Sequence, residues 1–373
     1  MSDILIIGGG LAGLTSAILL QQNGYQVNVF EKKKYPLHRV CGEYISNEVL
    51  PFLESLNIGI SKSGYSRINH LAITSVSGKI LQAELPMGGF GLSRYKLDQL
   101  MYEQAKRLGV EFVFERVDNI SFKDDKFTIT TPGNRVYESA IAIAAYGKRS
   151  NLDQKLNRSF FYRRSPYLGV KYHIKTEHPG NQIRLDNFQG GYCGLNKIED
   201  DKFCLCYLSE TANLKRYSGI PEMEEEVLYR NPYLRSLFKN SEFLFDKPEV
   251  INEISFEKKT LIENHLLFCG DSAGMITPLC GNGMAIAIHS GKILADSILR
   301  YAKKGAALNR IALENNYKFE WGKQFSIRLK SGRLIQQLFG NTFISDMTLN
   351  ILNKFPDITQ FLVKKTHGET LKY

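Results

Sequence analysis

The sequence predicts an α/β protein in which a Rossmann-like domain carries an inserted, mainly antiparallel sheet and is followed by C-terminal helices. Two distant segments predict the Rossmann-like part: a glycine-rich turn after the apolar run at residues 3–7, and a Gly-Asp pair after the apolar run at residues 266–269. Short alternating runs within residues 161–254 predict the inserted sheet, because such alternation is typical of half-buried strands.

The first element is a strand, turn and helix of the dinucleotide-binding type. Residues 8–13 read Gly-Gly-Gly-Leu-Ala-Gly, which matches GxGxxG. Gly8 permits the tight turn, Gly10 lets the backbone approach a pyrophosphate, and Gly13 allows the helix to pack closely on the strand. Residues 14–23 have helical composition, so the N–H groups at the start of this helix are expected to face the phosphates.

A second strand completes this unit. Residues 26–30 have strand composition, and Glu31 follows them directly. A carboxylate at this position can accept hydrogen bonds from the ribose hydroxyls of an adenosine. The elements occur in the order that a dinucleotide site requires, but this unit alone leaves FAD and NAD as alternatives.

The distant segment around Asp271 favours FAD. Gly270 and Asp271 follow a buried-strand pattern, so the Asp271 carboxylate is placed to accept hydrogen bonds from ribityl hydroxyls. Residues 281–284 then open a helix of small residues. The N-terminus of that helix would stabilise the negative charge that develops when a flavin is reduced.

The chain divides into three predicted parts, and the last of them carries an apolar stripe with helical spacing. The stripe indicates packing onto the body of the protein or, as an alternative, a lipid pocket or membrane contact. Its members are Leu334, Ile335, Leu338, Phe339, Phe343 and Met347. The parts are an FAD-binding domain at residues 1–66, 92–160 and 255–310, a substrate domain at residues 67–91 and 161–254, and a C-terminal helical segment at residues 311–373.

Composition narrows the class of protein. The 373 residues carry a net charge of +10, but no basic helix or nucleic-acid-binding module accompanies it, so no nucleic-acid partner is expected. The six cysteines form no CxxC pair or Cys/His cluster, so no metal site is expected. Reduced thiols and the lack of a bilayer-spanning run in the sequence predict a cytoplasmic protein, either soluble or peripheral at a membrane.

Four segments together resemble a known group of enzymes. They are the glycine-rich turn, the run His38–Ser46 with its Cys-Gly-Glu sequence, the run Leu92–Asp98, and the Gly270–Asp271 segment. In their order and spacing, the chain resembles FAD-dependent oxidoreductases of the group that contains p-hydroxybenzoate hydroxylase-like monooxygenases, geranylgeranyl reductases and flavin-dependent halogenases. The Cys-Gly-Glu run is similar to that of the reductases and of oxidoreductases that act on polyketides or phenolic lipids.

The resemblance implies roles for individual residues. It implies that Arg39, Cys41 and Gly42 lie along the FAD. It also implies that Arg94 reaches the ribityl-pyrophosphate region and that Val117 belongs to a strand that passes the adenine. The predicted FAD-binding residues are Gly8, Gly10, Ala12, Gly13, Glu31, Lys32, Arg39, Cys41, Gly42, Arg94, Val117, Asp271, Pro278, Gly281, Gly283 and Met284.

The chain departs from the group's pattern at three places. Tyr146 stands where the group often has the aspartate of an Asp-Gly motif shared by flavin and NAD(P)H, so a standard NAD(P)H contact is not expected there. The halogenase WxWxIP motif is absent, since Trp321 is the only tryptophan. Residues 191–196 keep the tyrosine of the reductases' Tyr-x-Trp-x-x-Pro element but lose its tryptophan and proline.

These departures favour a monooxygenase that uses NAD(P)H and O₂ to hydroxylate a hydrophobic aromatic, polyketide or phenolic-lipid substrate. The alternative is a geranylgeranyl-reductase-like enzyme that saturates carbon–carbon double bonds in an isoprenoid or polyene. A non-catalytic FAD-binding module is the third and least favoured possibility. No catalytic side chain is predicted, because the flavin itself carries the redox chemistry.

The predicted substrate is apolar and is delivered free, by a carrier or from a membrane. Tyr192 is the predicted pocket residue because two glycines precede it, and Asn196 is expected to orient the substrate. Aromatic residues crowd the same region, where they line the pocket or, as an alternative, form the core of the sheet. They are Phe160, Phe161, Tyr162, Tyr167, Tyr172, Phe188, Tyr192, Phe203 and Tyr207.

Overall fold

The structure of the protein is a computed structural model that describes most of the chain. In the described part, the strands form a six-stranded, a nine-stranded and a three-stranded sheet. Two of the predicted FAD contacts, Pro278 and Gly281, lie outside the described residues. The structure describes residues 3–163, 165–275, 282–302, 307–337, 342–366 and 368–371.

The six-stranded sheet has the Rossmann-like arrangement. Its strands are β1 (Ile4–Ile7), β2 (Val27–Phe30), β6 (Glu111–Val113), β10 (Ile141–Ala144), β17 (Ile262–Glu263) and β18 (Leu266–Phe268). They lie in the order β17-β18-β10-β1-β2-β6, and β17 alone among these runs antiparallel to its neighbour. Because β1, β2, β10 and β18 are parallel, the turns that follow them meet at one edge of the sheet.

Helices cover this sheet and one of them carries the glycine-rich turn at its start. The helices are α1 (Leu11–Gln22), α2 (Leu50–Ser55), α3 (Arg94–Arg107), α4 (Asn151–Lys155) and α8 (Gly283–Tyr301). Helix α8 lies directly on α1, since the side-chain oxygen of Ser16 donates to the carbonyl oxygens of Ala12 and Gly291 at 3.0 Å. The small third sheet consists of β7 (Asn119–Lys123), β8 (Lys126–Thr130) and β9 (Val136–Ser139).

The nine-stranded sheet is mainly antiparallel, as the alternating runs predict. Its strands are β3 (Tyr44–Ser46), β4 (Ser66–Thr74), β5 (Ile80–Gly91), β11 (Tyr167–Lys175), β12 (Gln182–Phe188), β13 (Gly191–Lys197), β14 (Phe203–Glu210), β15 (Glu242–Phe243) and β16 (Glu249–Ile254). The order is β15-β11-β14-β13-β12-β4-β5-β3, with β16 beside β11 and with β12 parallel to β4. Strand β3 thus extends this sheet from within the first sixty-six residues.

The two faces of the nine-stranded sheet have different roles. Leu205 and Tyr207 of β14 belong to a buried core that includes residues of two helices, α6 (Ile220–Val227) and α7 (Pro232–Asn240). Side chains of a strand alternate between its faces, so Cys206 and Leu208 point the opposite way, toward the Rossmann-like part. A short helix, α5 (Thr211–Leu214), joins β14 to α6.

The C-terminal segment is helical, as predicted, and it comprises α9 (Arg310–Gln337), α10 (Thr342–Lys354) and α11 (Pro356–Thr366). Of the predicted apolar stripe, Leu338 and Phe339 lie outside the described residues, and the side chains of Leu334, Ile335 and Phe343 are also not described. No helix in the described ranges is long and apolar enough to cross a membrane. The predicted fold class, a Rossmann-like domain with an added antiparallel sheet and C-terminal helices, is confirmed.

Candidate functional site

A cavity of about 1220 Å³ runs between the two large sheets. At one end the glycine-rich turn and the loops after β2 and β10 line it, and at the other end aliphatic side chains of the nine-stranded sheet and of α10 and α11 line it. Single-ligand pockets commonly span roughly 300–1,000 Å³. The cavity therefore has room for a large cofactor and a second molecule.

The glycine-rich turn is shaped by close contacts that exclude side chains. Gly8 has φ +106°, a backbone conformation that side chains disfavour. A Cβ at Gly13 would overlap the carbonyl oxygen of Gly8, so Gly13 packs behind the turn and does not line the cavity. A Cβ at Gly10 would point toward the cavity wall, 3.8 Å from the Arg94 guanidinium. The backbone is thus open to a ligand at Gly10, as a pyrophosphate requires.

Glu31 follows β2 directly, and its carboxylate faces the glycine-rich turn. The Gly9 N–H donates to Glu31 Oε2 at 3.2 Å, and the Lys33 N–H donates to Oε1 at 3.3 Å. Arg39 also donates to Oε2, at 2.9 Å. The acid is 6% exposed, so these donors hold it at the place where an adenosine ribose is expected.

Asp98 is a functional residue that the sequence reasoning missed. Its carboxylate accepts from Arg94 Nε at 2.7 Å and from Arg39 Nε at 3.0 Å, and it is fully buried. One carboxylate therefore positions two guanidinium groups beside the glycine-rich turn. The spacing of Arg94 and Asp98, four residues apart at the start of α3, was the available signal, because such pairs share a helix face.

Asp271 lines the cavity after β18, and a buried lysine holds its backbone. Lys259 Nζ donates to the carbonyl oxygens of Asp271 at 2.8 Å and of Lys148 at 2.7 Å. The ammonium also lies 4.3 Å from the centre of the Phe160 ring. Burial lowers the pKa of Lys259 to about 8, although Asp271 and Asp153 oppose that shift. Sequence reasoning did not find Lys259, since nothing local distinguishes it from surface lysines.

The Cys41–Glu43 segment lines the cavity and is anchored through Glu43. Glu43 has φ +56°, and its buried carboxylate accepts from Lys171 Nζ at 2.5 Å and from His173 Nε2 at 2.7 Å. Burial opposes ionisation of Glu43, but Lys171 and His173 outweigh it and hold the pKa at about 2. The sequence does not reveal this role of His173, because its partner lies 130 residues away.

Tyr146 occupies the position of the aspartate in the group's pattern, but its contacts are not those of an acid. Its phenol donates to Asp153 Oδ1 at 2.6 Å, and Arg158 lies against both groups. Burial, followed by the charge of Asp153, raises the pKa of Tyr146. The hydroxyl is therefore neutral and is bonded to α4, while the tyrosine contributes to the cavity wall.

The far end of the cavity is aliphatic. Tyr192 and Asn196, the predicted pocket residues, both line it from β13. Of the other aromatic residues of that region, Phe188 and Phe203 pack in the core on the opposite face of the sheet. Aliphatic side chains of five strands and two helices line the cavity there, among them Leu71, Ile73, Leu81, Leu85, Ile183, Leu185, Leu208, Ile254, Ile351, Leu352, Leu362 and Val363.

Most residues predicted to contact FAD lie together at this cavity. Val117 lines it from the loop between β6 and β7 rather than from a strand, so that part of the expectation was wrong. The predicted residues that line the cavity are Gly8, Gly10, Ala12, Glu31, Lys32, Arg39, Cys41, Gly42, Arg94, Val117, Asp271, Gly283 and Met284.

The fold is that of FAD-dependent oxidoreductases with a Rossmann-like domain. A family model described as an NAD(P)-binding Rossmann-like domain matches residues 6–42. The solved structure of the flavin-dependent brominase Bmp2 is similar with a TM-score of 0.80 at 18% identity, over 98% of this chain and 93% of that one. PqsL of P. aeruginosa, solved with 2-aminobenzoylacetate, is similar with a TM-score of 0.74 at 16% identity, over 92% of this chain and 98% of that one.

Curated proteins with similar sequences extend the comparison. Conditioned medium factor receptor 1 of Dictyostelium discoideum is 22% identical over 97% of this chain and 74% of its own length. Protein FixC of Salmonella typhi is 25% identical over 81% of this chain and 77% of its own length. Digeranylgeranylglycerophospholipid reductase 1 of Methanosphaera stadtmanae is 22% identical over 81% of this chain and 76% of its own length. The predicted class, an FAD-dependent oxidoreductase, is confirmed, and the reaction has to be argued from the cavity.

Proposed function

We propose that this chain is an FAD-dependent monooxygenase that uses NAD(P)H and O₂ to hydroxylate an elongated apolar substrate. The observation that carries the proposal is the continuity of the cavity, which joins the dinucleotide end to an aliphatic compartment. A flavin bound along the glycine-rich turn and the Cys41–Gly42 segment would meet a molecule held in that compartment. Leu71, Leu185 and Leu208 favour an alkyl, polyketide or phenolic-lipid chain over a small polar acid.

The polar end of the cavity fits FAD in its residue types and their order. Glu31 would accept from the adenosine ribose, the N–H groups at Gly10 with Arg94 would face the pyrophosphate, and Asp271 would accept from the ribityl chain. The start of α8, at Gly283, would place its positive dipole end toward the flavin. Bound FAD supplies the redox chemistry, and the chain binds it, orients it and excludes water.

Exclusion of water is the second contribution of this chain. The aliphatic compartment offers few partners to water, because Ile183, Leu185 and Leu208 are each at least nine-tenths buried while they face the cavity. A compartment without water prevents side reactions with water before oxygen is transferred to the substrate. No acid or base on the protein is needed for this step, which agrees with the apolar lining.

Double-bond saturation is the alternative, and two observations favour it. The chain is similar to a digeranylgeranylglycerophospholipid reductase, and an isoprenoid would also match the aliphatic walls. Saturation requires a proton donor beside the second carbon. Cys206 lines the cavity, and burial raises its pKa to about 12, so its thiol stays protonated and can donate.

The test is a turnover assay under labelled O₂. Purified protein with FAD is offered NADH or NADPH together with phenolic lipids, polyketide-like aromatics, isoprenoids or small aromatic acids. Substrate-stimulated NAD(P)H oxidation with labelled oxygen in the product is the expected result. Reduced product without label, formed also in the absence of O₂, would establish the reductase instead. Stimulation by small acids alone would refute the apolar substrate, and flavin binding without any turnover would leave a binding module.

A further inference from the structure

The hairpin of α10 and α11 exposes an unusual number of apolar side chains for a folded surface. Met347 is 48% exposed, Phe355 is 52% exposed and Ile358 is 48% exposed. Ile351 is 46% exposed and Leu362 is 36% exposed. These five residues, which we call the hairpin face, lie within sixteen positions of one another. Exposed apolar side chains that cluster in one short segment indicate an interaction site.

The hairpin is packed on the body of the protein through other side chains than those of the hairpin face. Leu349 of α10 and Val363 of α11 are buried and form part of the core beside β5. Polar contacts fix the hairpin to the same strand, since Asn353 donates to the carbonyl oxygen of Ile80 at 3.0 Å. Met347 and Ile351 lie four residues apart, as do Ile358 and Leu362, so each pair occupies one helix side.

The hairpin face is continuous with the cavity. Ile351 and Leu362 both line the cavity and are both exposed at the surface. Val250 of β16 also lines the cavity, and it is 42% exposed. Apolar side chains at the rim therefore connect the surface of the hairpin to the aliphatic compartment.

Charge favours an anionic surface as the occupant. The chain carries a net charge of +10. Lys354 ends α10 and is exposed, and Lys79 is exposed beside Ile80, whereas Asp346 of α10, Asp357 of α11 and Glu84 of β5 are acidic. In sequence, the hairpin carries Lys354, Lys364 and Lys365 against Asp346 and Asp357, so it shares the positive balance of the chain. Helices that lie in a bilayer interface combine an apolar face with basic residues and are too polar to span the membrane. The hairpin has this combination.

We propose that the hairpin face docks on the surface of an anionic lipid bilayer and that substrate enters the cavity from the bilayer past Ile351 and Leu362. The entry route rests on the proposed function, because it assumes an apolar substrate, whereas docking does not. Phe355 lies between the two helices, so the turn of the hairpin also presents an apolar side chain. The hairpin inserts its apolar side chains among the headgroups while the rest of the chain stays in water.

The experiment is sedimentation of the full chain, loaded with FAD, with vesicles of phosphatidylcholine with or without phosphatidylglycerol. The triple variant Met347→Glu, Phe355→Glu and Ile358→Glu should bind mixed vesicles about tenfold or more weakly than the parent, because each change removes inserted apolar area. The matched control is Ile311→Glu, Phe319→Glu and Ile327→Glu on α9. These side chains are at least 66% exposed, and the control adds the same charge away from the hairpin.

The expected result is that the control triple binds vesicles nearly as well as the parent, apart from the shared effect of added charge. Equal loss in both triples would overturn the proposal, since charge alone would then explain binding. So would a parent that ignores vesicles, or one that is a dimer which the hairpin triple dissociates, because the face would then meet a second copy. Retained flavin absorbance and an unchanged thermal midpoint show that the variants are folded. Docking together with turnover of small polar acids alone would leave docking standing and refute the proposed function.

Discussion

At the residue scale, the candidate site depends on buried charged side chains that hold other residues of the site in position. Asp98 does not line the cavity itself, but it holds Arg39 and Arg94, which do. Lys259 acts in the same way on the backbone of Asp271. Burial makes such groups expensive to leave unpaired, so each of them constrains the geometry around it.

The first prediction concerns Asp271. Replacing it with alanine removes a carboxylate acceptor, and a hydrogen bond to a charged group contributes about 1.5–3 kcal/mol. FAD affinity should therefore fall about ten- to a hundredfold, as measured by flavin fluorescence titration. Asp296→Ala, an exposed change on α8, is the control and should leave affinity unaltered. An Asp271→Ala protein that binds FAD as tightly as the parent would remove Asp271 from the site.

The second prediction is a pH dependence from Lys259. The folded protein releases this proton at about pH 8, whereas an unperturbed lysine keeps it until 10.5. Between these values the unfolded chain binds more protons, so the free energy of unfolding gains from this residue as pH rises. The gain is at most about 1.4 kcal/mol per pH unit. Lys259→Met lacks it, so the stability of the parent relative to this variant should increase from about pH 8 to about pH 10.

Thermal midpoints across that pH range test the Lys259 prediction. Lys258→Met is the matched control, because the neighbouring lysine is exposed and should show the pH profile of the parent. A constant difference between the parent and Lys259→Met at every pH would mean that Lys259 does not lose its proton in this range.

At the element scale, the Cys41–Glu43 segment and the helix pair α1–α8 carry the site. Glu43 ties its segment to β11 through Lys171 and His173, so the nine-stranded sheet sets the position of a loop that belongs to the Rossmann-like part. Helix α8 reaches α1 at Gly291, where the backbones nearly touch. The two cofactor motifs are therefore joined by direct contacts between their elements.

The third prediction tests that helix contact. A Cβ at Gly291 would lie 2.5 Å from the carbonyl oxygen of Ala12, so Gly291→Ala forces α8 away from α1. The expected cost is about 1–3 kcal/mol of stability, with weaker FAD binding. Gly322→Ala is the matched control in α9, where the nearest atom is Ser326 Oγ at 3.7 Å. That change should stabilise the protein by roughly 0.5–1 kcal/mol. Denaturant titration gives the free energy of unfolding of both variants. Equal changes in the two would exclude a close contact at Gly291.

At the scale of the whole molecule, the cavity lies where the Rossmann-like sheet, the nine-stranded sheet and the C-terminal helices meet. No single element encloses it. A ligand that fills its polar end touches the turns after β1, β2 and β18 together, so ligand binding should stabilise the chain as a unit.

The fourth prediction follows from that arrangement. FAD added to the flavin-free protein should raise the thermal midpoint, because a ligand at a hundred times its dissociation constant contributes about 2.7 kcal/mol. NAD added at the same concentration should have a much smaller effect, since NAD has no ribityl chain or flavin ring to meet Asp271 and the start of α8 as proposed above. Tight stabilisation by NAD with none by FAD would refute the assignment of the cofactor.

Local patterns were sufficient to predict much of the fold. The strand β1, the turn at residues 8–13 and the strand at residues 203–210 are each specified by residues within a few positions of one another. Glycines that a turn requires and alternation that a strand requires are local constraints, so they can be read without the tertiary structure. The same holds for the Gly270–Asp271 motif, which follows its own buried strand.

The sequence by itself determined the Rossmann-like unit, the class of cofactor and the presence of an inserted sheet, because these follow from short-range patterns. Only the tertiary structure decided that Glu43 pairs with Lys171, that Asp98 holds Arg39, and that helices from the C-terminal segment close the cavity. Each of these depends on residues that are distant in the chain and adjacent in space. Burial makes an unpaired charge costly, so the free energy of each ion pair depends on how deeply its side chains are buried. That burial is set by how the elements pack and not by neighbours in the sequence.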